Sequence, residues 1–302
     1  MATLVFLFIY AGVLVFAVGC VGRVLQYARA PIHLRWELYP VPHEAPERVT
    51  HGGSYFEQGD WWKKERHPNL AGELSFMIPE MLLLKGLWEY NRKLWYRSFP
   101  FHAGLYLLMG AAVLSTVGAV FGGSGLAGVL FAIARVCAWA GLVLTTFGGV
   151  ALFWRRLVDP ELKNYTGLGD LLNVGGFAIA CVLAIIGALS GSMPPLATLA
   201  RALLTFDSTV RLPAATSAGL ILGSVILGYI PYTHMAHFVA KYFTYHTIRW
   251  DDAPNNKQIA ARVAEYLTYR PTWSAPHIGA DGTKTWGEIA TTNPPEKQAV
   301  RK

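Results

Sequence analysis

No two cysteines of this chain stand close enough in sequence to form a CxxC pair. Cys20, Cys137 and Cys181 each fall inside a long apolar run. Covalent c-type haem attachment and a CxxC metal site are thereby excluded, and small apolar packing residues are what remains. Charge is equally scarce. Only 15% of the 302 residues are Asp, Glu, Lys or Arg, against 53% hydrophobic. A soluble domain of this length carries more charge and breaks its apolar residues into shorter runs. No lipidation motif is present. No acidic residue stands at the middle of an apolar run and no internal repeat is visible, which argues against a transporter.

What the chain does have is five apolar runs, near 3–24, 100–121, 127–154, 169–191 and 214–240. Each is long enough to cross a hydrocarbon core of roughly 30 Å, which takes about 20 helical residues. The first run lacks the basic start and the short apolar stretch of a signal peptide, and Arg23 follows it directly, so it reads as a retained span. The expected fold is an all-α integral membrane protein, a bundle of five transmembrane helices. Its parts are a first span (1–24), a long polar segment (25–98), a four-helix core (99–240) and a polar tail (241–302).

The net charge of +7 is not a nucleic-acid footprint, because the basic residues sit where membrane topology puts them. Of the 26 Lys and Arg, 11 fall in 23–98, three (Arg155, Arg156, Lys163) follow span three, and nine lie in the tail. The others are Arg135 in span three and Arg201 and Arg211 before span five. The positive-inside rule then places 25–98, the loop after span three and the C-terminus in the cytoplasm, and the N-terminus outside. The expected location is a bacterial or archaeal cytoplasmic membrane.

Within 25–98, residues 36–72 are rich in Pro, Gly and His without periodicity, which suits ordering against a partner. Residues 73–97 read as an amphipathic helix. Met77, Met81, Leu84, Trp88 and Trp95 fall on one face, with Glu80, Glu89, Arg92 and Lys93 off it. Such a face suits the membrane interface, a protein partner, or the ends of its own bundle. The tail opens with a short helix near 256–269. It then runs through Pro271, Trp273, Pro276, His277 and Trp286 without pattern, an aromatic arm suited to docking on another subunit. Glycines crowd the spans, among them Gly118, Gly141, Gly148, Gly149, Gly176, Gly187 and Gly219. They allow close helix approach, and equally room for a flat cofactor.

Histidine carries the chemistry. His33, His43, His51 and His67 fall in the polar segment, and His246 and His277 in the tail. Only His102, His234 and His237 touch spans, where an ionisable residue is costly and so a functional candidate. His102 opens span two and His237 closes span five. Those spans enter from opposite sides, so the two imidazoles are expected at one depth. A b-type haem needs two imidazoles on facing helices at matching depth. His234 precedes His237 by nearly one turn, so one of the two is expected to face the iron. His33 is a competitor on the same side. Lys241 is placed to reach a haem propionate. Tyr232, Thr233 and His234 form the nearest polar cluster for the carbonyls of a quinone.

Over about 99–250 these motifs resemble the gamma subunit of respiratory nitrate reductase, a five-span cytochrome b. They also resemble the cytochrome subunits of membrane complexes with heterodisulfide-reductase-like iron–sulfur subunits, including those linked to sulfate reduction. Phe101-His102-x-Gly104 matches the first ligand motif, and Pro231-Tyr232-Thr233-x-x-x-His237 the ligand motif of span five. Arg155-Arg156-Leu157, Asp159-Pro160 and Asp170 match the loop between spans three and four. The nitrate reductase family has a second pair of ligands, and here those positions are Ala112 and Gly219. The resemblance thus implies one haem b, held by His102 and His237 on the cytoplasmic side.

The expected function is a membrane cytochrome b subunit of a respiratory complex. It would exchange electrons between the quinone pool and a cytoplasmic iron–sulfur subunit, with further subunits in the complex. The chain has no motif for the terminal chemistry, so it is expected to be the quinone-reactive subunit rather than an enzyme alone. A haem-free membrane anchor is the alternative reading, with a transporter behind it.

Overall fold

The computed structural model describes residues 1–29, 70–163, 165–240, 257–272 and 280–292. His33, His43, His51, His67, Lys241, His246, Trp273, Pro276 and His277 lie outside the described residues. In chain order the helices are α1 (Ala2–Arg29), α2 (Leu70–Leu83), α3 (Lys85–Tyr90), α4 (Arg92–Val120), α5 (Gly125–Val158), α6 (Pro160–Lys163), α7 (Leu168–Leu189), α8 (Leu196–Thr205), α9 (Ala214–Tyr229), α10 (Lys257–Leu267) and α11 (Trp286–Thr291). Among the described residues every element is helical. Five helices are long and apolar enough to cross a membrane: α1, α4, α5, α7 and α9. They correspond one for one to the five apolar runs.

The spans pack through small residues at a spacing of seven. On α4 these are Gly104, Ala111 and Gly118, and on α5 they are Ala127, Ala134, Gly141 and Gly148, all buried. A seven-residue repeat keeps one seam facing its neighbour along the whole antiparallel pair. The approach is close enough to forbid a side chain. A Cβ on Gly104 would lie 2.5 Å from the Thr145 backbone nitrogen, and one on Gly148 would lie 2.7 Å from the Phe101 Cα. The other seams are built likewise. Gly149 meets Ala178 of α7, Gly219 of α9 meets the Ala180 carbonyl, and Gly12 of α1 meets the Ser224 carbonyl. The glycines at these seams therefore serve helix contact, and at Gly12, Gly104, Gly148 and Gly219 neighbouring backbone fills the space they leave.

These seams set the order α4, α5, α7, α9, α1, with α4 and α9 not a packed pair. A wedge remains between them. Arg23, Arg92, Arg155 and Arg156 mark one end of the bundle, the basic end. At the other end α8 packs against α4 and reaches α1, where Leu199 and Ala202 share a buried cluster with Val5 and Phe6. Tyr10 donates a hydrogen bond to the Leu203 carbonyl. The wedge is thus roofed by α8 at the end opposite the basic one.

Three local departures from the sequence reading have physical causes. The helix expected over 73–97 is three helices. Leu84 adopts the left-handed conformation (φ 53°) between α2 and α3, and Asn91 breaks the chain again (φ −150°, ψ 71°) and caps α4 through Leu94 N. The Glu80 carboxylate accepts the Gly86 amide at 2.7 Å, which ties the first break. Residues 92–97 then form the first turns of the spanning helix α4. The expected stripe is folded on itself. Trp95 donates to the Leu83 carbonyl at 2.7 Å and meets Trp88 edge-on at 4.8 Å. Tyr106 donates to the Met81 carbonyl at 2.7 Å, so α2 flanks α4.

Second, span five is not one continuous α-helix to residue 240 but is interrupted over 230–236 before helix resumes at His237. Pro231 has no amide hydrogen to give, and the chain passes into two 3-10 turns, Ile230–Tyr232 and His234–Ala236. Third, the tail is not patternless after α10. Thr285 and Glu288 form a capping box that starts α11. The segment is tied back by Trp286 N to the Tyr269 carbonyl (2.8 Å) and Gly282 N to the Pro271 carbonyl (3.0 Å). Tyr269 packs edge-on against Tyr165, which sets the tail against the loop at the basic end.

Candidate functional site

His102 sits on α4 one residue beyond Phe101, and Phe101 fixes the rotation of the helix. Its backbone lies against Gly148 of α5 and its ring meets Phe177 of α7 edge-on at 5.6 Å. With that face committed, His102 projects from a different side of α4, the one facing the wedge. Tyr106 and Met109 follow it on the same side, and Met109 is 64% exposed.

His237 is set by the two 3-10 turns. The Thr233 hydroxyl accepts Met235 N (3.1 Å) and donates to the Ile230 carbonyl (3.0 Å). Arg23 of α1 donates to the Pro231 carbonyl at 2.7 Å. On either side of His237, Ala236 is buried and Phe238 stacks on Phe16 of α1 at 6.2 Å. These contacts anchor the segment while the His237 ring turns toward α4. Its centroid lies 6.1 Å from that of His102, with an interplanar angle of 68°.

The expected ligand pair is therefore brought together, and His234 is directed elsewhere. Its Nε2 lies 3.6 Å from the Asp170 carboxylate at the start of α7. Asp170 also faces Arg156 at 3.7 Å and accepts the Gly167 amide at 2.9 Å. Arg156, Asp170 and His234 thus join the ends of α5, α7 and α9 in one polar cluster. Of the cluster expected for a quinone, the Thr233 hydroxyl is used in its cap and Tyr232 is exposed. Lys241 lies outside the described residues.

The pair can be tested as a donor set for an iron. Two imidazoles bound to one metal, at metal–nitrogen distances of about 2 Å, have ring centroids about 6 Å apart. The observed 6.1 Å fits. Each Nδ1 is tied to the backbone. His102 Nδ1 donates to the Ser98 carbonyl at 2.8 Å, and His237 Nδ1 to the His234 carbonyl at 3.3 Å. Carbonyls only accept, so these contacts favour a proton on Nδ1, and a neutral ring so held offers Nε2 to a metal. Among the described residues no group of three or more His, Cys, Asp or Glu could hold a metal ion. A two-imidazole set suits a metal whose remaining ligands come from a macrocycle.

Two features escaped the sequence reading. The Arg156–Asp170–His234 cluster was visible only as separate motif residues. Asn173, on α7, is 3% exposed with no hydrogen-bond partner for its amide oxygen among the described residues, and its only sequence signal is a lone amide inside an apolar run. No protein-family model matches the chain, and no curated protein matches it.

Proposed function

We propose that this chain is a membrane cytochrome b subunit of a quinone-linked oxidoreductase complex, with its basic end in the cytoplasm and its N-terminus outside. The observation that carries the reading is the approach of His102 and His237, with each Nδ1 at hydrogen-bond distance from a backbone carbonyl. One b-type haem bound there supplies one-electron chemistry. The chain's own residues orient the two rings: the buried Phe101 contact sets the direction of His102, and the two 3-10 turns set that of His237, whose ring is exposed. The membrane partner is the quinone pool. The protein partner is an iron–sulfur subunit of heterodisulfide-reductase type on the cytoplasmic face, where α2, α3 and the tail lie.

A single haem is supported by the two positions that differ from the nitrate reductase pattern. Ala112 is exposed and carries no ligand atom. At Gly219 a Cβ would already stand 2.9 Å from the Ala180 carbonyl, so the α7–α9 seam has no space for an imidazole. A reduced-minus-oxidised spectrum of the purified chain, with its haem-to-protein ratio, tests the reading. A b-type spectrum at one haem per chain supports it. A colourless protein assigns the chain instead to the haem-free anchors.

A further inference from the structure

An apolar stripe runs along α2. Leu74, Ile78, Met81 and Leu82 are spaced to share one helix face, and each is between 44% and 50% exposed. Met77, beside that face, is buried. The stripe spans about 100° of the helix surface, the width of a face that a helix ordinarily covers. The described residues leave it open. α2 packs on α3 and α4 alone among the elements with extensive contacts, so the stripe lies on the outside of the bundle.

The depth of α2 says what covers it. Where α3 joins α4, Trp88, Trp95 and Tyr96 form an aromatic collar, with ring centroids 4.8 Å apart for Trp88–Trp95 and 5.4 Å for Trp95–Tyr96. Trp and Tyr collect at the headgroup level of a bilayer. Arg92, Lys93 and Arg97 are exposed at the same level, and the Arg92 guanidinium lies 4.6 Å over the Trp88 ring. Past the collar, α4 rises roughly 30 Å from Phe99 to Val120, the thickness of one hydrocarbon core. Tyr106 stands on that apolar stretch, about 10 Å beyond Phe99. Its side chain leans back toward the helix N-terminus and donates to the Met81 carbonyl. Trp95 in the collar donates to the Leu83 carbonyl. The last turn of α2 is therefore pinned between the collar and the apolar stretch of α4.

We infer that α2 is a lipid-binding helix, its stripe seated in the acyl chains of the cytoplasmic-side leaflet, with anionic phospholipid headgroups held by Arg92, Lys93 and Arg97. An apolar helix face with cations at the headgroup level is the form of an interfacial lipid site. The stripe is continuous with surface that already faces lipid, since Met109 and Val113 follow Tyr106 on α4 and are exposed. A soluble subunit is the poorer occupant, because it would have to pass the collar to reach Ile78. The inference needs only that α4 spans a membrane, so it stands or falls apart from the haem.

The test places a photo-crosslinking phenylalanine, benzoylphenylalanine, at Ile78 of the full chain. Leu74 is the second position, in case the first variant does not fold, and exposed Thr291 on α11 is the control. The chains are irradiated in nanodiscs of mixed phosphatidylcholine and phosphatidylglycerol, and the adducts are weighed by mass spectrometry. The probe at Ile78 or Leu74 is expected to add the mass of one phospholipid, and the probe at Thr291 is expected to add none. Phosphatidylglycerol is expected to exceed its share of the bilayer among the adducts by at least about twofold. Lys93→Gln with Arg97→Gln is expected to return it to that share. Absence of lipid adducts at Ile78 and Leu74, or equal adducts at Thr291, overturns the seating of α2. Adducts that follow bilayer composition in the unaltered chain overturn the anionic headgroup site. In native membranes, a protein adduct in place of lipid at Ile78 gives the face to a subunit and overturns the inference.

Discussion

His237 faces His102 across the wedge at 6.1 Å between ring centroids, while His234, three residues earlier, faces Asp170 on another helix. The two histidines of one short segment thus have different partners, and the difference can be measured. His102→Ala and His237→Ala are each expected to abolish the haem spectrum. His234→Ala is expected to keep it at one haem per chain and to lower quinone turnover. Loss of haem on replacing His234 would reverse the assignment of the pair.

Orientation is checked by reporters. A cytoplasm-only reporter joined after Lys302 is expected to give signal, and one joined ahead of Met1 is expected to give none. The basis is the concentration of Lys and Arg in 23–98 and in the tail. The opposite pattern would turn the basic end outward and remove the cytoplasmic partner with it.

The α4–α5 seam has no slack at Gly148. Gly148→Val would drive a branched side chain into the Phe101 backbone. Overpacking of this kind costs about 1–3 kcal/mol or more. The expected result is a lower unfolding midpoint in detergent and loss of haem, since Phe101 sets the direction of His102. Gly110→Ala is the control, because a Cβ there meets nothing within 4 Å. Equal destabilisation by both would remove the special role given to the seam.

The tail folds against the basic end through Tyr269, Pro271 and the α11 capping box. Truncation after Thr268 is expected to release the iron–sulfur partner in a pull-down and to leave haem bound. Acid should loosen the arm only at low pH. The amides of Lys284 and Thr283, with the Thr283 hydroxyl, hold the Asp281 carboxyl down to about 2. Its contribution is therefore complete above about pH 4 and is lost as pH falls toward its depressed value. A truncated chain that still captures the partner would assign docking to α2 and α3.

Apolar length made the five spans readable, since hydropathy alone decides which segments leave water. The pairing of His102 with a late histidine was readable from alternating span direction. Which late histidine it is was not. Helical arithmetic past Pro231 fails once the chain enters two 3-10 turns, whose rotation per residue differs from that of an α-helix. Nor does a leucine announce a left-handed conformation, so the break at Leu84 left no trace in the residues around it. The α11 cap is legible as Thr285-x-x-Glu288, but it stands in a segment rich in Pro and Gly with no helical periodicity around it. The glycines admitted two readings until the seams showed backbone of the next helix against Gly12, Gly104, Gly141, Gly148 and Gly219.

The partnership of His102 and His237 also imposes an order on biosynthesis. The α4–α5 hairpin is complete within its own residues and has both faces of its seam as soon as Val158 is made. His102 enters the membrane with that hairpin, and its counterpart is synthesised only after α9, near the end of the membrane-embedded chain. A ribosome that stalls earlier leaves a well-packed hairpin carrying half of a ligand pair. On the cytochrome reading proposed above, cofactor capture would then follow insertion of the last span.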